Sequence, residues 1–418
     1  MRFQTTSLLC LSSLFAGSSA FSLPPNAPVA QVQTSQTYDV SSSSSSSVSN
    51  FNSPLMNGIR DFLIPPAYAA DGKPKPPTND EIKLLREALG ALYGERNPEK
   101  AVELITKAIS AWERQAPDER AALYRVRGDC YMGLVNAEAA IEDYTTTITL
   151  LTGPGGELAD PAELPAAYLG RGRSLLSLGV LTDEQYQLAN KDYQLAMRLT
   201  SREEWDTNEE LEADGAQRNP YAAWEWGMAQ RGNKMYNEAA ETHILASSAF
   251  KEIGDRARSV ISKLDAGIDL ASAYAATSDK SVLEDAKKVL TEAIQSTTSV
   301  EGRDIELLQR VIAKEGEARI ALASILWSNG EKSAAEAQLG EACGRLDELQ
   351  RDADAREKAR IKSGAMPPVK VNKLKFTIDD TVGTECSCSR FKNEKFLDAT
   401  LHWPKPLQEK VTNLNKLA

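Results

Sequence analysis

The sequence predicts an all-α protein, with antiparallel helix pairs stacked into a repeat array, a long N-terminal leader that cannot fold on its own and a small irregular C-terminal tail. Three observations predict it. From Glu81 onward, apolar residues recur at helical spacing nearly throughout. Two windows, Leu123–Leu150 and Ala167–Leu199, then repeat one pattern. Each gives Tyr, Gly four later and a large residue three after that: Tyr124, Gly128, Tyr131, and Tyr168, Gly172, Leu175. Each resumes with Ala, an aromatic at +4 and a small residue at +7: Ala140, Tyr144, Thr147, and Ala189, Tyr193, Ala196. Finally, the same seven-residue step recurs in four more places, placing an array of six hairpins at about residues 81–346.

Composition narrows the function. With 418 residues, 42% of them hydrophobic and 26% charged, the chain has room for a long buried core. A formal net charge of −11 disfavours a general nucleic-acid binder, which needs a clustered positive surface to neutralise phosphates. Only two histidines occur, His243 and His402, so a His-rich metal site or a Cys/His zinc knuckle is not expected. Five cysteines are too few to frame a fold. No glycine-rich phosphate loop, metal-ligand cluster or activated nucleophile motif is visible, so we expect no cofactor, no metal and no catalysis.

The elements follow in chain order. Residues 1–20 read as a secretory signal: Arg2, the apolar stretch "SLLCLSSLFAG", then small residues at Ser18 and Ala20 before a cut. Residues 21–69 carry the run Ser41–Ser47 and little to bury, as a targeting segment would. Ser18, Ser19, Ala20 and Phe21 resemble the bipartite plastid-targeting leader of diatoms and related algae, although no Lys or Arg stands between Phe21 and Arg60. That resemblance implies a plastid protein. Ala67 and Ala69 form an A-x-A that favours the thylakoid lumen over the stroma. A linker, 70–80, leads into the array, and no segment approaches the ~20 apolar residues of a membrane helix, which leaves peripheral membrane association as the one membrane contact open to it.

Positions i, i+4 and i+7 share one helix face, where a small residue beside a large one lets two helices approach closely. The further second-helix signatures are Ala101, Ile105, Ala108; Ala239, His243, Ala246; Ala286, Leu290, Ala293; and Ala335, Leu339, Ala342. First-helix partners carry Gly227 and Gly267, and Gly330 takes the last inter-helix turn. With Arg127-Gly128 and Arg171-Gly172, the pattern resembles the tetratricopeptide repeat. That resemblance implies a right-handed superhelix whose concave face holds a protein or peptide partner. The spacing departs from it: second-helix alanines lie 39, 49, 50, 47 and 49 residues apart, against ~34. The extra residues are expected in loops or lengthened helices, most plainly Gly153–Pro165 and Val180–Gln187.

Carried onto matching positions, the family's groove gives Arg125 and Asp129, Arg173, and Trp224, Met228 and Arg231. This set would suit a partner with carboxylates and an apolar anchor. Core packing is the competing expectation for Trp224. The Lys and Asn residues that clamp a C-terminal carboxylate in chaperone-binding relatives do not appear. His243 reads as a core histidine, and Cys130 and Cys343 as inert thiols at small positions.

After the array, 347–364 reads as a charged capping helix with Leu346 and Leu349 on one side, and 365–418 as a tail. Leu374, Phe376 and Ile378 alternate as an extended segment would. Cys386 and Cys388 form a C-x-C suited to a labile disulfide or thiol exchange. The expected function is a non-catalytic interaction scaffold in the plastid, assisting assembly or maintenance of a photosynthetic complex. The alternatives are a thiol-redox or substrate-receptor protein using Cys386 and Cys388, and a plastid RNA-binding helical-repeat protein.

Overall fold

A computed structural model describes residues 78–113, 115–154, 156, 159–178, 181–201, 206–300, 305–363 and 387–415. The leader, the extended segment at Leu374–Ile378 and Cys386 lie outside the described residues. Among those described, no strand occurs and consecutive helices pack on one another.

Six helix pairs follow in order. They are α1 (Asn79–Leu89) with α2 (Pro98–Ala111), α3 (Pro117–Gly133) with α4 (Ala137–Thr152), and α5 (Glu163–Leu176) with α6 (Asp183–Thr200). A single helix, α7 (Asn208–Arg218), intervenes. Then come α8 (Pro220–Gly232) with α9 (Tyr236–Glu252), α10 (Arg256–Thr277) with α11 (Lys280–Thr297), and α12 (Ile305–Ser328) with α13 (Lys332–Lys362). The tail adds a 3₁₀ turn (Cys388–Lys392), a π turn (Phe396–Thr400) and α14 (Lys405–Asn415).

Local chemistry sets the boundaries. Thr78, Thr182 and Thr207 each cap a helix while Glu81, Gln185 and Glu210, three residues on, bond back to the cap, satisfying two orphan amides at once. Asn97, Asn136, Asn219 and Asp255 cap four others through side-chain oxygens. Pro98, Pro117 and Pro220 sit in the first turn, where a missing N–H costs nothing. Within five pairs the turn uses a left-handed residue: Arg96, Val135, Lys234, Ser278 and Gly330. Only Gly330 takes that conformation without steric cost.

The expected small–large contact recurs through the array. A methyl placed on Gly128 would stand 3.1 Å from Tyr144, and one on Gly172 3.0 Å from Tyr193. Gly227 meets His243 and Gly267 meets Leu290 in the same way. In the sixth pair the partner differs from expectation. Gly316 faces Leu346, one heptad beyond Leu339. Ala335, Leu339 and Ala342 repeat at Ala342, Leu346 and Leu349, so a seven-residue slip satisfies the same face, and Gly316 decides between them.

The extra residues per repeat lie partly where expected and partly not. α7 fills much of the interval between the third and fourth pairs, and α10, α12 and α13 run 22, 24 and 31 residues. The stretch read as a separate capping helix continues α13 without a break.

Candidate functional site

Two sets of ion pairs stitch the pairs together. Within a pair, the residue before the glycine bonds the residue before its large partner. Arg127 donates from Nε and Nη2 to Asp143, both at 2.7 Å, and Arg171 to Asp192 at 2.8 and 2.7 Å. The fork geometry of guanidinium on carboxylate fixes the two helices in register. In the sixth pair the charges swap sides: Glu315, before Gly316, accepts from Arg345, before Leu346.

Between pairs, a second set links the first helices in succession. Arg125 on α3 bonds Glu163 on α5. Arg173 on α5 bonds Glu225 on α8 at 2.9 and 3.0 Å. Arg231 on α8 bonds Asp265 and Asp269 on α10, and Lys314 on α12 reaches Asp265 at 3.2 Å. Tyrosines of the second helices brace this spine: Tyr144 donates to Asp129 at 2.6 Å and Tyr193 to Glu225 at 3.2 Å.

This is where the expected groove residues stand. Arg125, Arg173 and Arg231 were expected to meet a partner's carboxylates, with Asp129 beside them in the groove. Each Arg instead holds a carboxylate of the following pair, and Arg125 also holds Asp129 at 2.7 Å. Trp224 and Met228 are buried, and the Trp224 indole donates to Asp265 at 2.9 Å. The spine brings all but Met228 together as internal staples. Its carboxylate half, Glu163, Glu225, Asp265 and Asp269, escaped the sequence reading because a charge on a helical pattern ordinarily marks a solvated face. A signal was present only for the within-pair set: Asp precedes Tyr in both strong windows, as Asp143-Tyr144 and Asp192-Tyr193.

The deepest part of the spine is a buried cluster of Arg231, Asp265, Asp269, Lys314, Glu317 and His243, none more than 2% exposed. His243 places Nδ1 2.6 Å from Asp269 Oδ2, and its other ring nitrogen faces Gly227. The core role expected for His243 therefore includes holding the carboxylate that Arg231 needs. Burial works to raise the Asp265 carboxyl, but Lys314 and Arg231 outweigh it and hold the group well below the usual carboxylate range. At Arg173 the Glu225 carboxylate dominates and raises the guanidinium above its ordinary value despite burial. Every charge here has an opposite partner, so the cluster is built to hold helices in one arrangement.

In the tail, α14 packs against α10 and α12, the first helices of the last two pairs, and the 3₁₀ turn packs against α13. Phe391, Leu397, Leu401, Trp403, Leu407, Val411 and Leu414 are buried in the same core as Trp224 and Met228. Phe391 meets Phe396 edge-on at 5.5 Å, the Trp403 carbonyl accepts from Gln408 at 2.6 Å, and the Lys410 ammonium lies 5.5 Å over the Tyr274 ring. His402 Nδ1 lies 3.4 Å from the Tyr186 hydroxyl on α6. Burial of each such side chain contributes about 1.5–3 kcal/mol, against about 1–2 kcal/mol for ordering each residue's backbone. Further attachments therefore matter to how firmly the tail sits.

One attachment is covalent. Cys388 is disulfide-bonded to Cys343 on α13, with Cα atoms 4.9 Å apart, and the Cys388 amide donates to Asp347 at 3.1 Å. This corrects two expectations. Cys343 is not an inert thiol, and Cys388 does not bond its neighbour Cys386. The bridge spans 45 residues, a pairing that spacing alone does not single out. Cys130 is free and buried, and burial pushes its thiol up to about 12, as expected for an inert one.

Among the described residues no group of His, Cys, Asp and Glu is arranged to hold a metal ion, and no helix is long and apolar enough to cross a membrane. No family model and no curated protein matches this sequence.

Proposed function

We propose that the protein is a non-catalytic interaction scaffold whose first-helix face receives an amphipathic protein segment. The observation that carries this reading is the docked tail: 28 residues, Cys388–Asn415, bury seven large apolar side chains in the core of the helix pairs, with α14 seated on α10 and α12. A surface that takes such a segment of its own chain has the chemistry to take one from another protein. The recurring Gly–large contacts support a tetratricopeptide-type array, in which successive pairs build an extended surface for a partner. The Ala20-Phe21 junction supports a plastid location, and Ala67 and Ala69 support the thylakoid lumen, where a photosynthetic complex is the natural client.

The test is affinity capture from plastid membranes with a tag placed between residues 70 and 78, away from the tail. A protein partner recovered in fixed ratio is expected; a chain that elutes alone from every plastid fraction overturns the scaffold. Residues 1–70 fused to a fluorescent protein test the address. Fluorescence in the secretory pathway instead of the plastid removes the photosynthetic part of the reading.

A further inference from the structure

The geometry points to a thiol-latched docking face: Cys388–Asn415 is a tethered stand-in for the partner, and the Cys343–Cys388 disulfide holds it closed. This rests on the scaffold reading above and names how that face is exposed.

Four observations converge. The tail is reached through residues 364–386, a connection of 23 residues that leaves it joined to the array when undocked. Its helix α14 lies on α10 and α12, first helices that the ion-pair spine also links. Its buried residues fall at helical steps, Leu407, Val411 and Leu414, behind Trp403-Pro404, so it carries an aromatic anchor and an amphipathic turn as a docking segment does. Its covalent tie sits at its leading edge, and Cys343 and Cys388 are both only half-buried, so a reductant can reach the bond.

The magnitude decides what the latch does. Closing a loop of this length constrains the open state by about a thousandfold in the closed-to-open ratio. Reduction removes that factor and leaves the apolar contacts in place, so the tail stays docked most of the time yet becomes displaceable by a competitor. The competitor that fits has the tail's chemistry. It is a helical segment with a Trp or Phe anchor ahead of apolar residues at three- and four-residue steps, and it carries net positive charge. The tail bears Arg390, Lys392, Lys395, Lys405 and Lys410 against Glu394, Asp398 and Glu409, five minus three, on a chain whose net charge is −11.

The step balances with a protein or small-molecule dithiol as reductant. One thiolate of the dithiol attacks a sulfur of the Cys343–Cys388 bond, forming a mixed disulfide and expelling the other cysteine as thiolate, which takes up a proton. The second thiol of the reductant then displaces the first cysteine. Two electrons and two protons pass to the protein, giving two thiols, and the reductant leaves as a disulfide.

The test uses the full chain with Cys386→Ser throughout, so that exchange onto that residue is blocked. Amide exchange of residues 405–415 is followed with and without dithiothreitol. An acceleration approaching a thousandfold on reduction is expected, with α3–α6 unchanged, and Cys343→Ser should show the fast rate in both conditions. A labelled synthetic peptide of residues 388–415 carrying Cys388→Ser should bind the reduced chain at least tenfold tighter than the oxidised one, and its Trp403→Ala version should lose that binding. Equal exchange in both redox states overturns the latch. So does exchange that rises equally across α3–α6, and so does peptide binding that ignores redox state. A protein partner captured equally well from oxidised and reduced chains sinks the latch and spares the scaffold, whereas no partner in either state sinks the scaffold itself.

Discussion

Arg231 and Asp269 form an ion pair with side chains 1% and 0% exposed, and Asp269 presents its second oxygen to His243 at 2.6 Å. Removing one member of such a pair strands the others in a medium that cannot solvate them. Asp269→Ala is therefore expected to destabilise the C-terminal pairs by about 3–5 kcal/mol, seen as an early loss of helical circular dichroism in urea. Asp269→Asn, which keeps an acceptor of the same shape, should cost less. A variant curve that overlays the parent would show that the cluster contributes nothing to holding α8, α9 and α10 together.

Asp265 gives the same cluster an acid dependence. Its carboxyl is held below the ordinary value by Lys314 and Arg231 acting against burial. A depressed carboxyl contributes stability that is present above the unfolded value, near 3.9, and that is lost as pH falls through the lower folded one. Stability should thus hold down to about pH 4 as far as this group decides it, and fall below. Asp265→Asn should flatten that acid limb in pH-dependent denaturation, at the expense of stability near neutrality. An unchanged acid limb would remove Asp265 from the cause.

Val135 occupies the left-handed turn position, φ 59°, that Gly330 fills in the last pair at φ 88°. A β-branched residue there carries a steric cost of about 1–2 kcal/mol, and Val135 is 38% exposed, with little packing to lose. Val135→Gly should raise stability by about 1 kcal/mol or slightly less once chain entropy is counted, measured as a shift of the urea midpoint. A lower midpoint would show that Val135 packing outweighs the strain.

The pairs were legible in the sequence because each helix of a glycine–ring contact leaves its own periodic trace: the steps around Gly128 recur around Gly172, and those around Tyr144 recur around Tyr193, although the turn between the two helices differs in length. The spine was half legible. Arg125, Arg173 and Arg231 were singled out, but their partners Glu163, Glu225 and Asp269 lie 38, 52 and 38 residues away, and no local rule joins them. The slip from Leu339 to Leu346 follows from a heptad that repeats itself, since only Gly316, on another helix, breaks the tie. The disulfide was hidden by position. Cys343 fits a small slot on the helix face, and a thiol that packs well gives no sign that it is bonded.

Gly267 and Gly340 test the packing account against helix propensity. A methyl on Gly267 would stand 2.7 Å from the Leu290 side chain and 3.2 Å from its backbone nitrogen, which cannot turn aside. Overpacking costs about 1–3 kcal/mol, against a propensity gain of about 1 kcal/mol for alanine. Gly267→Ala should be neutral to destabilising by about 2 kcal/mol. Gly340, at an exposed position on α13, has nothing within 4 Å of the same position, so Gly340→Ala should stabilise by about 0.5–1 kcal/mol. Two equal gains would show that the first-helix glycines are not required for close approach.

His402 ties tail docking to pH. It sits at φ 53° with Tyr186, Asp398 and Arg231 around it. Burial, with the Arg231 guanidinium adding to it and Asp398 opposing, pushes the imidazole down to about 4 from its ordinary 6.5. The folded value is the lower one, so an undocked tail binds a proton below about pH 6.5 that the docked tail refuses until about pH 4. Docking is therefore strongest above that window and weakens as pH falls through it. The full shift corresponds to about 3 kcal/mol, and partial exposure of the residue trims this to about 2 kcal/mol. Amide exchange of residues 405–415 should accelerate between pH 6.5 and 4 after correction for intrinsic rates, and His402→Asn, which tolerates a positive φ, should abolish the acceleration. If the acceleration persists in that variant, the acid response belongs to another group, and Asp398, which hydrogen-bonds Gln408 at 3.3 Å, is the next to replace.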